Sequence, residues 1–271
     1  VIRGEDHLNN MVRQLMVYEA LDENPASFAH VSLLIGSDRQ KLSKRHGATS
    51  VSQYKNEDYL PEALNNYLSL LGWSHPEEKD IFKLDQIVEF FDLNRFSKSA
   101  ALYDIEKLKW VNGQHLKSLD IDIIAESLML VSSKVVKEFF YPQTKEWKRG
   151  FISLFLEKVQ VYQDFEQFLD QIFNSSTDID ADAKEVLAWE TTPQVKRYVS
   201  DCLNSYAGEH ITKEELNKWM SDLKKDHGIK GKNLFMGLRV VLTGLCHGSD
   251  LTRLIPLTPI EVIKARLDKL S

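Results

Sequence analysis

Turn formers are scarce in this chain. It has 12 glycines and 7 prolines in 271 residues, and Leu, Lys and Glu are abundant. Such a chain cannot make the many tight turns of an all-β fold, so it reads as mainly helical. Apolar periodicity agrees. Leu8, Met11, Leu15 and Tyr18 recur at helical spacing, with Asn24-Pro25 as the expected stop. Pro61 opens a predicted helix with Leu64, Leu68 and Leu71 on one face and Gly72 at its end. Further helices are predicted over residues 85–91, 104–119, 121–131 and 146–173. Leu234, Leu238, Val241 and Leu245 mark another amphipathic helix. Thr192-Pro193 reads as a cap followed by a first-turn proline, Thr212 with Glu215 as a capping box, and Thr258-Pro259-Ile260-Glu261 as both signals together.

Two segments break the helical pattern. Val1-Ile2 leads into the polar run Arg3 to His7 and reads as a strand end. A lone strand leaves its backbone donors open, so this chain is expected to be the C-terminal piece of a longer protein. His30 to Ile35 is a short apolar run suited to a buried strand. These strands form the α/β part of an otherwise helical chain.

Composition excludes several classes. No apolar run reaches the ~18 residues of a membrane span. Cys202 and Cys246 cannot build a disulfide framework or a CxxC zinc pair, which favours a reducing, cytosolic setting. The net charge of −6 argues against a protein whose whole surface coats nucleic acid. It leaves room for local basic faces. Residues 164–190 hold eight acids against one lysine, read as a solvated face. Residues 213–239 hold seven basic residues against four acids, and either a solvated face or a phosphate-facing one fits.

Chemistry concentrates in residues 39–46, where Arg39, Lys41, Lys44 and Arg45 place four permanent cations in eight residues around Ser43. On charge alone this is an exposed basic loop. Its position just after an apolar strand is where nucleotides bind in open α/β sheets. Lys41-Leu42-Ser43-Lys44-Arg45 resembles the KMSKS signature of class I aminoacyl-tRNA synthetases, in its KLSKR variant. Val1-Ile2-Arg3-Gly4-Glu5-Asp6-His7, Tyr59-Leu60-Pro61-Glu62-Ala63-Leu64, Leu71-Gly72-Trp73, Lys109-Trp110-Val111-Asn112-Gly113 and Leu238-Arg239-Val240-Val241-Leu242-Thr243-Gly244 follow in the order seen in bacterial-type glutamyl-tRNA synthetases. The resemblance runs from residue 1 to about residue 250.

That resemblance implies a mainly α protein with a small Rossmann-type α/β remnant at the N-terminus. Residues 1–46 would be the C-terminal part of the catalytic domain, 47–120 the stem-contact region, and 121–180 and 181–271 two helical anticodon-binding subdomains. It implies a ligase that joins glutamate to its tRNA through glutamyl-adenylate, with ATP and its Mg2+ as substrate and no metal ligands from this chain. Lys44 would bind the ATP phosphates with Lys41, Ser43 and Arg45 assisting, because charge builds on phosphate oxygens and needs positioned cations. Glu5, Leu33 and Leu34 would line the ATP side, with bracing and core packing as their other readings. Arg3 would hold the substrate glutamate, a guanidinium fork matching a carboxylate; a strand-end salt bridge to Glu5 or Asp6 is its other reading. Lys158 stands near where the family often has an arginine and is a candidate anticodon contact. Phe139, Phe140, Tyr141 and Trp147 are expected to be core rather than base-stacking residues.

The HIGH motif and the acceptor-stem insertion do not occur in these residues, so roughly the first 40% of such an enzyme is expected to lie outside this chain, which alone is not expected to aminoacylate. The expected partners are glutamate tRNA, ATP and L-glutamate, in a cytoplasmic monomer away from membranes. The alternatives are a freestanding, non-catalytic tRNA-binding helical module and a helical protein-interaction scaffold.

Overall fold

The computed structural model describes residues 1–42, 50–175, 179 and 181–270. They divide into two units: Val1–Leu119 with Gln160–Gln163, and Asp120–Val159 with Asp164–Ser271. The architecture is mainly α with small sheets, as the periodicity predicts.

In the first unit β1 (Ile2–Gly4) turns through a 3-10 segment, Glu5–His7, into α1 (Leu8–Ala20). The chain returns as β2 (Ala29–Val31), which pairs with β1 in parallel, Arg3 opposite His30. The apolar run 30–35 is therefore not one buried strand. It splits into β2 and β3 (Leu34–Ile35), and β3 pairs in parallel with β4 (Ala101–Leu102) in a separate sheet. The break falls at Ser32-Leu33, where the Ser32 hydroxyl donates to the Ser97 carbonyl and the Leu33 amide donates to Glu5 Oε1. Both strands are half-buried. The periodic helix α1 forms, yet buries none of its residues: Leu8, Val12 and Met16 stand at 50%, 54% and 63% exposure. It ends at Leu21, before Asn24-Pro25, where Asp22 takes a left-handed φ of 53°.

The remaining first-unit helices are α2 (Val51–Asn56), α3 (Pro61–Leu70), α4 (Leu84–Phe90) and α5 (Ile105–Lys117). The Asp104 carboxylate caps α5 by accepting from the amides of Glu106 and Lys107. The buried face of α3 is Ala63, Leu64, Asn66 and Tyr67, while Leu68 is exposed, so the predicted Leu64–Leu68–Leu71 face is rotated. Asn66 causes the rotation, because its amide has partners only inside. Its Nδ2 donates to the Asp80 carbonyl, and its Oδ1 accepts from the Phe82 amide and from His115 Nε2 at 2.8 Å.

Burial pushes the His115 imidazole below its ordinary value, because the charged ring would lose its hydration. The unfolded chain then binds the proton first as pH falls, and stability drops below about pH 6.5. His115→Gln keeps a donor for Asn66 and removes the titration. It is expected to flatten the acid slope, read as the urea midpoint at about pH 7.5 against about pH 5.5. An unchanged slope contradicts this.

The second unit contains α6 (Ile121–Leu128), a π-helical turn (Val136–Phe140), α7 (Lys145–Phe155), α8 (Asp164–Phe173) and α9 (Ala181–Leu187). It continues with α10 (Thr192–Ser205), α11 (Lys213–Lys225), α12 (Gly231–Thr243), α13 (Leu251–Leu254) and α14 (Ile260–Lys269). Several clusters fill its core, the smallest formed by Ala183, Val186, Val240 and Cys246. Phe140 of the π-helical turn interlocks with Trp147, Phe151 and Phe155 of α7 and Phe165 of α8, and the Trp147 indole donates to the Leu257 carbonyl at 3.0 Å. Val195, Val199, Trp219, Leu238, Val241 and Ile263 join α10, α11, α12 and α14. Phe139 stacks on Phe173, and the Tyr141 hydroxyl donates to the Met129 carbonyl, so the aromatic run is absorbed by packing.

Several caps differ from the expected ones. Thr191, not Thr192, precedes α10, and the Thr192 hydroxyl instead donates to the Val186 carbonyl. Thr212 accepts from the Glu215 amide, but the Glu215 carboxylate takes the Trp219 indole instead of closing the box. Pro259 caps α14 without a side chain, while the Thr258 hydroxyl donates to the Leu254 carbonyl. Leu245 lies past the end of α12, which Gly244 closes at φ 75°.

Candidate functional site

In the first unit the sequence brings two distant loops together. Gly36 and Gln40 close a tight turn, with the Gly36 amide donating to the Gln40 carbonyl at 2.9 Å and Arg39 at φ 59°. The turn reverses the chain, so the Leu42 amide donates to the Leu34 carbonyl and Lys41 bridges back to Ile35. Lys41 Nζ then meets Asp6 Oδ2 at 2.6 Å across 35 residues of sequence. The Lys41 ammonium holds the Asp6 carboxyl below the usual carboxylate range. Glu5 accepts from the Leu33 amide at 3.1 Å, so it braces the strand break. Gly4, Asp6, Leu33, Leu34, Lys41 and Tyr54 line a cavity of about 530 Å³, mostly apolar and carrying the Lys41–Asp6 ion pair in its lining.

Arg3 is not brought into that cavity. It lines a separate one of about 560 Å³ with Val1, Gln14, Tyr18 and Phe28. Asp6 is occupied by Lys41 and Glu5 by Leu33, which leaves the strand-end salt bridge to Arg3 unformed. Ser43, Lys44 and Arg45 lie outside the described residues.

In the second unit Lys158 is exposed, and its ammonium donates to Ser249 Oγ at 2.9 Å. The loop 247–250 draws in a second cation. A Cβ on Gly248 (φ 151°) would lie 3.3 Å from Arg239 Nη1, so the guanidinium rests against bare backbone there. Arg239 is half-buried, and desolvation lowers its guanidinium pKa while Asp250 opposes the shift. Asp250 itself caps α13 through the Thr252 amide. Lys158 and Arg239 thus converge on one glycine-containing loop from 81 residues apart in sequence. Sequence reasoning named Lys158 but did not single out Arg239 or Ser249. The available signal was Arg239 inside a basic stretch, with Gly248 downstream.

Among the described residues no group of His, Cys, Asp and Glu is placed to hold a metal, and no helix is long and apolar enough to cross a membrane. Cys246 is buried and Cys202 half-buried, and neither is in a disulfide.

Comparison with known proteins puts these two clusters in context. The family model for the catalytic domain of class I tRNA synthetases (E and Q) matches residues 1–110, and the model for the anticodon binding domain matches residues 129–271. The chain belongs to the class I tRNA synthetases of this E and Q group, carrying their anticodon binding domain behind part of the catalytic domain. Its relatives are glutamate–tRNA ligases. It is 39% identical over 276 residues to glutamate–tRNA ligase 1 of Caldicellulosiruptor saccharolyticus, covering 99% of this chain and 56% of that protein. It is 42% identical over 259 residues to the ligase of Heliobacterium modesticaldum, covering 94% and 52%. The glutamate tRNA ligase of Elizabethkingia meningosepticum, solved in complex with its amino acid, superposes with a TM-score of 0.83 at 27% identity, covering 100% of this chain and 56% of that one. The chain thus spans a little over half the length of the relatives it matches.

Proposed function

We propose that this chain supplies the phosphate-facing loop and the tRNA-reading half of a cytoplasmic glutamate–tRNA ligase, working as a monomer. The observation that carries the reading is the 37–42% identity to glutamate–tRNA ligases across nearly the whole chain. In the first step a glutamate carboxylate oxygen attacks the α-phosphorus of ATP, the bond to the bridging oxygen breaks, and pyrophosphate leaves with glutamyl-adenylate formed. A tRNA terminal ribose hydroxyl then takes the glutamyl group and AMP leaves. ATP arrives with Mg2+ as substrate. Charge grows on the phosphate oxygens in the first step, and Lys44, Lys41 and Arg45 are the cations assigned to it, with Ser43 as a hydrogen-bonding neighbour. Lys41 leaves Asp6 when phosphate competes for it. Leu33 and Leu34 form the apolar wall for the base, and Glu5 shapes that wall through the Leu33 amide; Arg3, which lines the separate cavity beside Val1 and Phe28, is assigned the amino-acid carboxylate. Residues 1–46 act in catalysis, 47–120 meet the tRNA stem, and 121–180 with 181–271 read the anticodon. Lys158 and Arg239 contact it there.

A graft tests the reading. The chain replaces the matching segment of the Bacillus subtilis glutamate–tRNA ligase, to which it is 38% identical. The graft is expected to charge glutamate tRNA, and Lys44→Ala in it to charge roughly 100-fold more slowly. A graft that binds tRNA but stays uncharged, or one indifferent to Lys44→Ala, contradicts the catalytic assignment and favours a non-catalytic tRNA-binding module.

A further inference from the structure

We propose that Phe235 is a stacking platform for an unpaired RNA base, set in a cationic stripe on α12. The inference rests on the anticodon-binding reading above and names a residue for it.

Phe235 is 58% exposed, and it is the only exposed aromatic among the described residues of the second unit. The others are spoken for. Phe139 stacks on Phe173, Phe155 on Phe168, Trp147 on Phe151, and the Tyr198 hydroxyl donates to Asp222. A helix in solvent gains nothing from a bare phenyl ring, so its neighbours decide what it meets. Helical geometry of about 100° per residue puts Lys232, Phe235, Met236 and Arg239 on one face of α12. Lys232, one turn before Phe235, holds its ammonium 5.4 Å from the Trp189 ring centroid. Arg239 lies one turn beyond Phe235, against Gly248, on the loop that Lys158 reaches through Ser249.

The charge pattern selects the partner. Residues 227–249 carry Lys230, Lys232 and Arg239 and no Asp or Glu. A flat apolar ring flanked by cations, with Asp250 as the acid acting on Arg239, complements a base flanked by phosphates. From Lys232 to Arg239 the stripe runs roughly 10 Å along the helix axis, about three bases at ~3.4 Å per stacked nucleotide. An acidic protein surface would satisfy the cations but has no need of the ring, and an apolar one would strand the cations.

The test compares Phe235→Ala, Phe235→Leu and Phe235→Trp in the full chain, titrated with a glutamate-tRNA anticodon stem-loop. The alanine and leucine variants are expected to bind about 10-fold more weakly, within the range that loss of one stacked base produces. The tryptophan variant is expected to keep its affinity, with its added emission quenched on binding. The ring is uncharged, so the salt dependence of the alanine variant stays that of the wild type. Leucine binding as well as phenylalanine, or a tryptophan that is not quenched, overturns the stacking role while leaving the anticodon reading intact. Failure of the wild-type chain to bind the stem-loop overturns both.

Discussion

Arg266→Met is expected to destabilise the second unit by about 3 kcal/mol, the largest single effect foreseen in this chain. Arg266 is only 5% exposed, and its guanidinium donates to the carbonyls of Gln171, Ile172 and Asn174. These are carbonyls at the C-terminal end of α8, which no later turn of helix can satisfy. Burial lowers the guanidinium pKa to about 10, so the group stays charged at neutral pH and suits the negative end of the helix. Methionine fills the volume and leaves the carbonyls without their donor. Arg266→Lys offers a point charge in place of the fork and is expected to recover part of the loss. Urea unfolding followed by tryptophan emission reads the change, because Trp219 is buried in the same unit. A shift below about 1 kcal/mol contradicts the account, being no more than one ordinary hydrogen bond.

Arg239→Ala is the functional counterpart. It is expected to weaken binding of the glutamate-tRNA anticodon stem-loop by roughly 10- to 100-fold and to lower the salt slope by about one. Arg239 is half-desolvated against the Gly248 backbone, so its charge is less screened than that of exposed Lys158. Lys158→Ala is expected to cost less, since that side chain is exposed and tied to Ser249. Arg239→Lys should keep the salt slope and lose the fork-dependent part of the affinity. Equal affinity of Arg239→Ala and the wild type contradicts placing the interface at the 247–250 loop.

The helical character was legible because glycines and prolines are scarce and the apolar residues between them recur at helical spacing. The helix predicted over residues 104–119 forms as α5, and the Leu234–Leu238–Val241 stripe stands where the pattern puts it. What escaped is polar and non-local. Asn66 turns α3 so that Leu68 faces solvent, which no apolar periodicity reveals. The run His30–Ile35 is apolar enough to read as one buried strand. The hydrogen bonds that split it come from Glu5 and Ser97. Thr192 reads as the cap of α10, but its hydroxyl is taken by the Val186 carbonyl, and the N-cap position falls to Thr191 without a side-chain cap. The candidate sites were visible as residue types, four cations in eight residues and a lysine at 158. Their partners were not, because Asp6 lies 35 residues from Lys41 and Ser249 lies 91 from Lys158.

Central to the account is that the helical half of this chain reads an anticodon. The direct measurement is binding of the intact chain to the glutamate-tRNA anticodon stem-loop and to a non-cognate stem-loop, each at low and at physiological salt. The account predicts a cognate preference at both salts and weaker binding of both RNAs as salt rises. Equal binding of the two stem-loops, or none at low salt, contradicts it.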